Sequence, residues 1–292
     1  MTSRVRVCAV QMAVREHPTQ AAFHKRVEHF VSVASDYGSD FVCFPELFTL
    51  QVLANGAGRL APMEAIEHLT SMTSEFTERL CAHAARYGVN IIGGSHLTRT
   101  DRGIRNVTPI ARRDGTLVLR EKLHATPDEH AVWGVEGGKS GDAAAVVETD
   151  CGPIGVMICY DAEFPELGRR LVDQGARLFL VPYCTDTREG HLRVRYCCHA
   201  RAIENQAFVV TAGNVGNLEG VANFDIQYAQ SAIITPNDVP FARDGIAAEC
   251  TANVEGVVFA DLDLATLAWV RERGSVRNLR DRRTDLYRVT WT

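Results

Sequence analysis

A layered α/β fold, with a mixed sheet or a pair of sheets, is predicted by three observations. Short β-branched-rich or apolar runs ending in polar residues recur along the chain. Several are followed by stretches with apolar residues at helical spacing. Both helical connections and hairpin signals join the runs, so parallel and antiparallel neighbours are expected together. With 292 residues, the chain is long enough to bury a sizeable core as one unit.

The elements follow in order. Residues 5–12 read as a strand, and residues 21–37 as a helix presenting Phe23, Val27, Phe30, Val31 and Ala34 on one face, with Gly38 as its terminator. Residues 41–44 form the next strand, stopped by Pro45-Glu46. One helix over 64–87 leads through Gly88 into a strand at 90–93. Strands 106–112 and 116–122 pair across the turn Arg113-Asp114-Gly115. In the second half, 145–149 and 154–159 flank the turn Asp150-Cys151-Gly152-Pro153. A helix at 164–175, a strand at 178–183, a helix at 193–205 and a strand at 207–212 follow. The last elements are strands at 231–235 and 256–261 and a helix over 264–273.

Composition excludes several classes. Apolar residues make up 46% and charged residues 23%, which argues against disordered, collagen-like and disulfide-scaffold chains. The 31 basic and 36 acidic residues give a net charge of −5, with no dense basic stripe for nucleic acid. The basic stretch 271–283 is broken by Glu272 and Asp281. No run approaches the ~20 apolar residues of a membrane span. Residues 1–12 lack the apolar core of a signal peptide. Nine cysteines, an odd number, several within apolar runs (Cys8 and Cys43), point to free thiols in a reducing, cytoplasmic compartment.

One thiol differs from the others. Cys159 ends the run Ile154-Gly155-Val156-Met157-Ile158 and precedes a helix opened by Phe164-Pro165-Glu166. A thiol at a strand-to-helix turn meets backbone N–H groups and the positive helix end, which lower its pKa and hold an oxyanion. A buried core cysteine fits the same context. Glu46 follows the strand 41–44, where a carboxylate is costly unless paired or functional. Strand C-termini are also where ligands bind in α/β sheets. Lys122 closes the hairpin strand. Each residue alone fits an ordinary structural role. Together they supply a base, a cation and a nucleophile at strand ends.

These segments resemble the three signatures of the nitrilase superfamily of carbon–nitrogen hydrolases. They are Phe44-Pro45-Glu46, then Arg120-Glu121-Lys122-Leu123-His124, then Ile158-Cys159-Tyr160-Asp161 with Phe164-Pro165-Glu166. Arg201-Ala202-Ile203-Glu204-Asn205, Asn214 and Ser231-Ala232-Ile233 also match its later segments. The resemblance spans residues 4–273 and implies a single-domain, four-layer αββα sandwich over 1–273, followed by a tail at 274–292. It also implies Cys159 as nucleophile, Glu46 as general base, Lys122 with the Tyr160 backbone N–H at the oxyanion, and Glu129 as a positioning glutamate. The implied reaction is cofactor-free hydrolysis of a small amide through a thioester. Nitrile or N-carbamoyl hydrolysis by the same triad, or a non-catalytic interaction role on this fold, are the alternatives. A homodimer or larger assembly is implied, with the apolar, Arg-rich tail 279–291 extending the contact.

Other features point elsewhere and are set aside. Gly134-Val135-Glu136-Gly137-Gly138-Lys139-Ser140 misses a phosphate loop, because three residues rather than four separate Gly134 from Gly138. Cys197-Cys198-His199, with Cys184 and His191, match no zinc spacing, so no metal is expected. Trp133 reads as a packing residue. Glu163 stands where relatives acting on carboxylate-bearing substrates often place an arginine. An acid there favours a neutral or amine-bearing acyl chain, unless it pairs with Arg195 or Arg201. Segments 126–139 and 183–195 follow strand ends near the site, which nominates Tyr183, Thr185 and His191 as further lining residues.

Overall fold

The computed structural model describes residues 4–54, 61–139 and 141–291, excepting the side chain of Asp142. Ser140, the last residue of the glycine-rich stretch, lies outside them. Thirteen strands and seven helices alternate along the described residues. The strands form two sheet halves. In the first, β1 (Arg4–Ala13) pairs antiparallel with β13 (Gly256–Asp263) and parallel with β2 (Phe41–Cys43). Then β2 pairs parallel with β3 (Asn90–Ile92), which meets the antiparallel strand β5 (Gly103–Ala111). Strand β5 also pairs with β4 (His96–Thr100) and β6 (Leu117–Glu121). In the second half, β7 (Ile154–Val156), β8 (Leu178–Tyr183) and β9 (Phe208–Asn217) run parallel. There β9 also pairs antiparallel with β10 (Ile226–Gln227) and with β11 (Ala232–Ile234), which in turn pairs with β12 (Ile246–Glu249). Among the described residues, the strand ladders of the two halves join where Met12 and Ala13 of β1 pair with Asn214 and Val215 of β9.

The period-two alternation of β1 sets the layers. Val5, Val7 and Ala9 face one way, into a cluster that also holds residues of β8 and β9 in the second sheet half, such as Leu178, Leu180 and Val209. Cys8, Val10 and Met12 face the opposite way, onto Phe23, Val27 and Val31 of α1 (Gln20–Asp36) and Phe76, Leu80 and Ala84 of α3 (Thr73–Tyr87). On the far side, Leu167 and Leu171 of α5 (Pro165–Asp173) and Val194, Cys198 and Ala202 of α6 (Arg188–Asn205) cover the second sheet. The result is an αββα sandwich.

Four sequence expectations change. The helix over 64–87 is two helices, α2 (Pro62–Thr70) and α3. Hydroxyls of Thr70, Ser71 and Thr73 donate to the carbonyls three residues back, competing with helix propagation at the break. Strand β4, whose residues His96-Leu97-Thr98-Arg99-Thr100 include a single apolar side chain, adds a hairpin beside β5. Residues 145–149 make only a bridge from Val147 to Ile154. Helix α6 begins at Arg188 rather than 193, because Thr187 caps it by accepting from the Gly190 N–H at 3.1 Å. None of the helices is long and apolar enough to cross a membrane, among the described residues. Helix α7 (Leu264–Arg273) precedes the tail, which lies back on the second helix layer through Arg282 on Asp173 and Trp291 under Arg170.

Candidate functional site

Glu46 follows β2, Lys122 follows β6, Cys159 follows β7, and Glu129 sits on α4 (Pro127–Trp133). All four line one cavity of about 390 Å³. The approach of these segments depends on glycine. At Gly94, φ is +59° and a Cβ would strike the Pro45 carbonyl and the Phe48 ring, next to Glu46. At Gly137 a Cβ would strike the Leu123 carbonyl, next to Lys122. The glycine-rich stretch therefore serves close backbone approach.

At the cavity floor the side chains close a ring of hydrogen bonds. Lys122 Nζ donates to Glu46 Oε1 at 2.8 Å and to Glu129 Oε2 at 2.6 Å. Asn106 Nδ2 donates to Glu46 Oε1 at 2.9 Å and to Glu129 Oε1 at 2.7 Å. Glu129 is further fixed as the third helical residue of a capping box, accepting from the Thr126 N–H at 2.8 Å. Glu46 is held from behind, its backbone carbonyl accepting from Asn214 Nδ2 at 2.7 Å. Lys122, Glu46 and Glu129 are all at most 4% exposed, so these charges persist only because they are paired.

The two carboxylates titrate differently. Burial and the neighbouring Glu129 push Glu46 up to about 7, against the pull of Lys122. Burial pushes Glu129 up too, but Lys122 and donors from Thr126 and Asn106 hold it below its ordinary value. Burial opposes the charge on Lys122, yet the two carboxylates raise its pKa well above normal. The floor thus offers a permanent cation, a permanent anion and one carboxyl poised near neutrality.

Cys159 opens a short 3₁₀ turn, Cys159–Glu163, with φ at +49°. Its Sγ lies 3.6 Å from the Cys184 carbonyl, and Glu46 is the charge that acts on it most strongly after burial. The expected lowering of its pKa by a helix start is not found. Helix α5 begins six residues later, while burial and Glu46 push the thiol well above its ordinary value. The resting sulfur is a thiol, and a base must take its proton.

The other nominated residues divide. Tyr160, Glu163 and Thr185 line the cavity. Tyr183 and His191 do not. Tyr183 is buried behind the wall, its hydroxyl accepting from the Gln230 N–H at 3.1 Å. His191 packs between Tyr183 and Tyr228, and burial, with Arg195 and Arg188, pushes it down to about 4. Its position follows from the early start of α6, which turns His191 inward and leaves Arg193 toward the cavity. The Glu163 carboxylate pairs with neither Arg195 nor Arg201, although Arg201 Nη2 donates to the Glu163 backbone carbonyl at 3.3 Å. The carboxylate lies 3.6 Å from Arg193, while Arg195 pairs with Glu249 and Arg201 with Glu204. Asp128, Glu163 and Asp186 line the cavity beside one further cation, Arg193. Trp133 is 2% exposed and forms part of the wall.

Asn106, Cys184, Gln227 and Arg193 escape sequence reasoning as site residues. Asn106 sits mid-strand in β5 and carries no local signal of its bridging role. Cys184 follows β8, and its Sγ donates to Gln227 Oε1 at 3.0 Å, both lining the cavity. A signal for Cys184 existed, since it too follows a buried parallel strand.

A family model described as Carbon-nitrogen hydrolase matches residues 6–272. The chain belongs to the carbon-nitrogen hydrolase family. As a carbon-nitrogen hydrolase it is an enzyme acting on carbon–nitrogen bonds other than peptide bonds. Its relatives include the Bacillus subtilis (strain 168) protein "Probable hydrolase YhcX", 46% identical over 287 residues. That match covers 98% of this chain but only 55% of the relative, so the chain spans about half of that protein. The Xenopus tropicalis protein "Omega-amidase NIT2" is 29% identical over 98% of both chains. In fold, this carbon-nitrogen hydrolase is similar to the C. elegans NitFhit protein, with a TM-score of 0.78 and 23% identity over 98% of this chain and 67% of that one. It is also similar to an amidase from Nesterenkonia sp. AN1, with a TM-score of 0.73 and 21% identity over 98% and 96% of the two chains.

Proposed function

We propose that this chain hydrolyses a small amide through a thioester on Cys159, releasing ammonia or an amine and a carboxylic acid. Glu46 takes the thiol proton as sulfur attacks the amide carbon. The oxyanion is held by Lys122 Nζ and the backbone N–H of Tyr160. Glu46 then gives its proton to the departing nitrogen, and the C–N bond breaks. Water attacks the thioester with Glu46 again as base, and the acid leaves with the thiol restored. Glu129 keeps Lys122 charged and in place throughout. The cycle draws on these protein groups and water and requires no cofactor.

The observation that carries this reading is the meeting of Cys159 with the Glu46–Lys122–Glu129 ring at the floor of one cavity, with the Glu46 carboxyl near 7. Proton transfer by such a group contributes roughly 10²–10⁴-fold. The carboxylates of Asp128, Glu163 and Asp186 around the cavity favour a neutral or amine-bearing acyl chain over an anionic one. Free thiols throughout the chain support a cytoplasmic setting. The exposed Leu286, Tyr287, Val289 and Trp291 of the tail support an assembly in which the tail contacts a second copy.

The test is ammonia release across amides, nitriles and carbamoyl compounds with neutral, cationic and anionic side groups. Turnover is expected with amides and is expected to vanish in Cys159→Ala. Activity surviving that change would sink the thioester route. Turnover of nitriles or carbamoyl compounds alone would reassign the substrate to the other chemistry of this triad. No turnover of any compound would favour an interaction role.

A further inference from the structure

The base, the cation and Glu129 all stand on the first sheet half or on α4 beside it. The nucleophile alone stands on the second half, after β7. Among the described residues, the β ladders join the halves only at Met12–Asn214 and Ala13–Val215. Main-chain pairing therefore does not fix the distance between Lys122 and Cys159. Something else must do so, because an oxyanion cradle built from Lys122 Nζ and the turn after Cys159 works only if its two sides are in register.

We propose that Asp161 and His124 form a clamp that sets this register, and that both are positioning residues for the oxyanion cradle. Asp161 lies two residues after the nucleophile, and His124 two residues after the lysine. The Asp161 carboxylate is 2% exposed. A carboxylate so buried must be fully paired. Its Oδ1 accepts from the His124 backbone N–H at 2.9 Å and from His124 Nδ1 at 2.7 Å. Its Oδ2 accepts from the backbone N–H groups of Leu123 and Ile158, each at 3.3 Å. Three donors come from the loop after Lys122 and one from the residue before Cys159. An ionised carboxylate can only accept, so His124 carries its proton on Nδ1.

The ring is locked as well. It stacks on Phe164 at 3.6 Å with an interplanar angle of 6°, and meets Tyr160 edge-on. Phe164 and Tyr160 both belong to the nucleophile's turn or its cap. The lysine loop is gripped from its other side, where the Lys122 carbonyl accepts from the Gly138 N–H at 2.8 Å. His124 thus touches the turn bearing Cys159 near both its ends, at Tyr160 and at Phe164. It is absent from the cavity lining, so it acts through the groups it holds rather than on a substrate.

The inference rests on the proposed thioester chemistry, and the test separates the two. Two reagents compete for Cys159, followed by mass spectrometry of its peptide with Cys159→Ala as blank. p-Nitrophenyl acetate acylates through an oxyanion, whereas iodoacetamide alkylates at a saturated carbon and develops none. In His124→Ala, acylation is expected to slow about 10- to 100-fold, as for a displaced catalytic geometry. Alkylation is expected to stay within about twofold. His124→Asn, which returns an N–H near the Nδ1 position, is expected to recover most of the acylation rate. It also guards against a His124→Ala chain that fails to fold. Parallel loss of both rates in a folded variant, or unchanged acylation in both variants, would overturn the clamp. A wild-type chain that acylates with the ester yet releases no ammonia from any amide would instead count against the amide reading and leave the clamp judged on the ester.

Discussion

The floor of the cavity and its rim are built by opposite rules. On the floor, Glu46, Lys122 and Glu129 are buried, and each carboxylate accepts from both Lys122 and Asn106. On the rim, Asp128 and Asp186 are exposed, and the partly buried Glu163 carboxylate lies 3.6 Å from Arg193, whose side chain is 67% exposed. Charges on the floor feel one another at low dielectric and tune one another's protonation. Rim charges are screened by water and bias which ligand enters. Floor substitutions should therefore change the chemical step, and rim substitutions the choice of substrate.

The largest expected effect is at the centre of the floor. Lys122→Met leaves two buried carboxylates facing one another without their cation. Breaking such a buried pair costs about 3–5 kcal/mol of stability, and losing an oxyanion donor costs about 10²–10³ in kcat. Denaturant unfolding and steady-state kinetics measure the two losses. A stable variant with near-normal kcat would mean that the ring is not what holds the floor together.

Next in size is pH. Glu46 must be ionised to take the thiol proton, and its carboxyl is held at about 7. Below that value the base is protonated, so kcat/KM is expected to fall about tenfold per pH unit on the acid side. Above it the rate levels off, because Cys159 and Lys122 are both held well above their ordinary values. An acid limb near the usual carboxylate range would show that the burial of Glu46 is relieved in solution. Asn106→Ala sharpens the same comparison. It removes one donor from each carboxylate, a loss of about 1–3 kcal/mol for buried groups left short of partners. The charged form of Glu46 loses support, so the acid limb should move to higher pH while KM changes little. A change confined to KM would place Asn106 with the rim.

The same contrast explains what was legible in sequence. Glu46 and Cys159 follow buried strands, where a lone Glu or Cys ends an apolar run, whereas Lys122 follows the partly exposed β6 and Glu129 sits on α4, and both carry a weaker local signal. The layered α/β character is readable from the strand-like run of β1 and the helical spacing in α1, whereas the four-layer αββα arrangement follows from the family resemblance. Asn106 was not readable, because a mid-strand asparagine announces neither its face nor its partners. On the rim, position depends on where a helix starts. Thr187 caps α6 five residues before the expected boundary. That shift replaces His191 by Arg193 at the cavity and redirects Glu163 to a partner the sequence did not suggest. The thiol pKa was misjudged on similar grounds, since a 3₁₀ turn separates Cys159 from α5 and burial dominates.

The smallest effect is expected at the rim itself. Glu163→Arg replaces one carboxylate by a cation beside Arg193 and leaves Asp128 and Asp186 in place. Because such charges are solvent-screened, each interaction is worth about 0.2–1 kcal/mol, or up to about fivefold in preference. The ratio of kcat/KM for an amine-bearing amide to that for a carboxylate-bearing amide should fall by about this factor, carried mainly by KM. Raising the ionic strength should shrink the difference between the two proteins, since screening acts on the rim and not on the floor. A Glu163→Arg variant with unchanged preference would remove the rim from substrate choice. A variant that lost kcat with both amides alike would show that Glu163 acts on the nucleophile's turn, erasing the distinction between the two regions at that position.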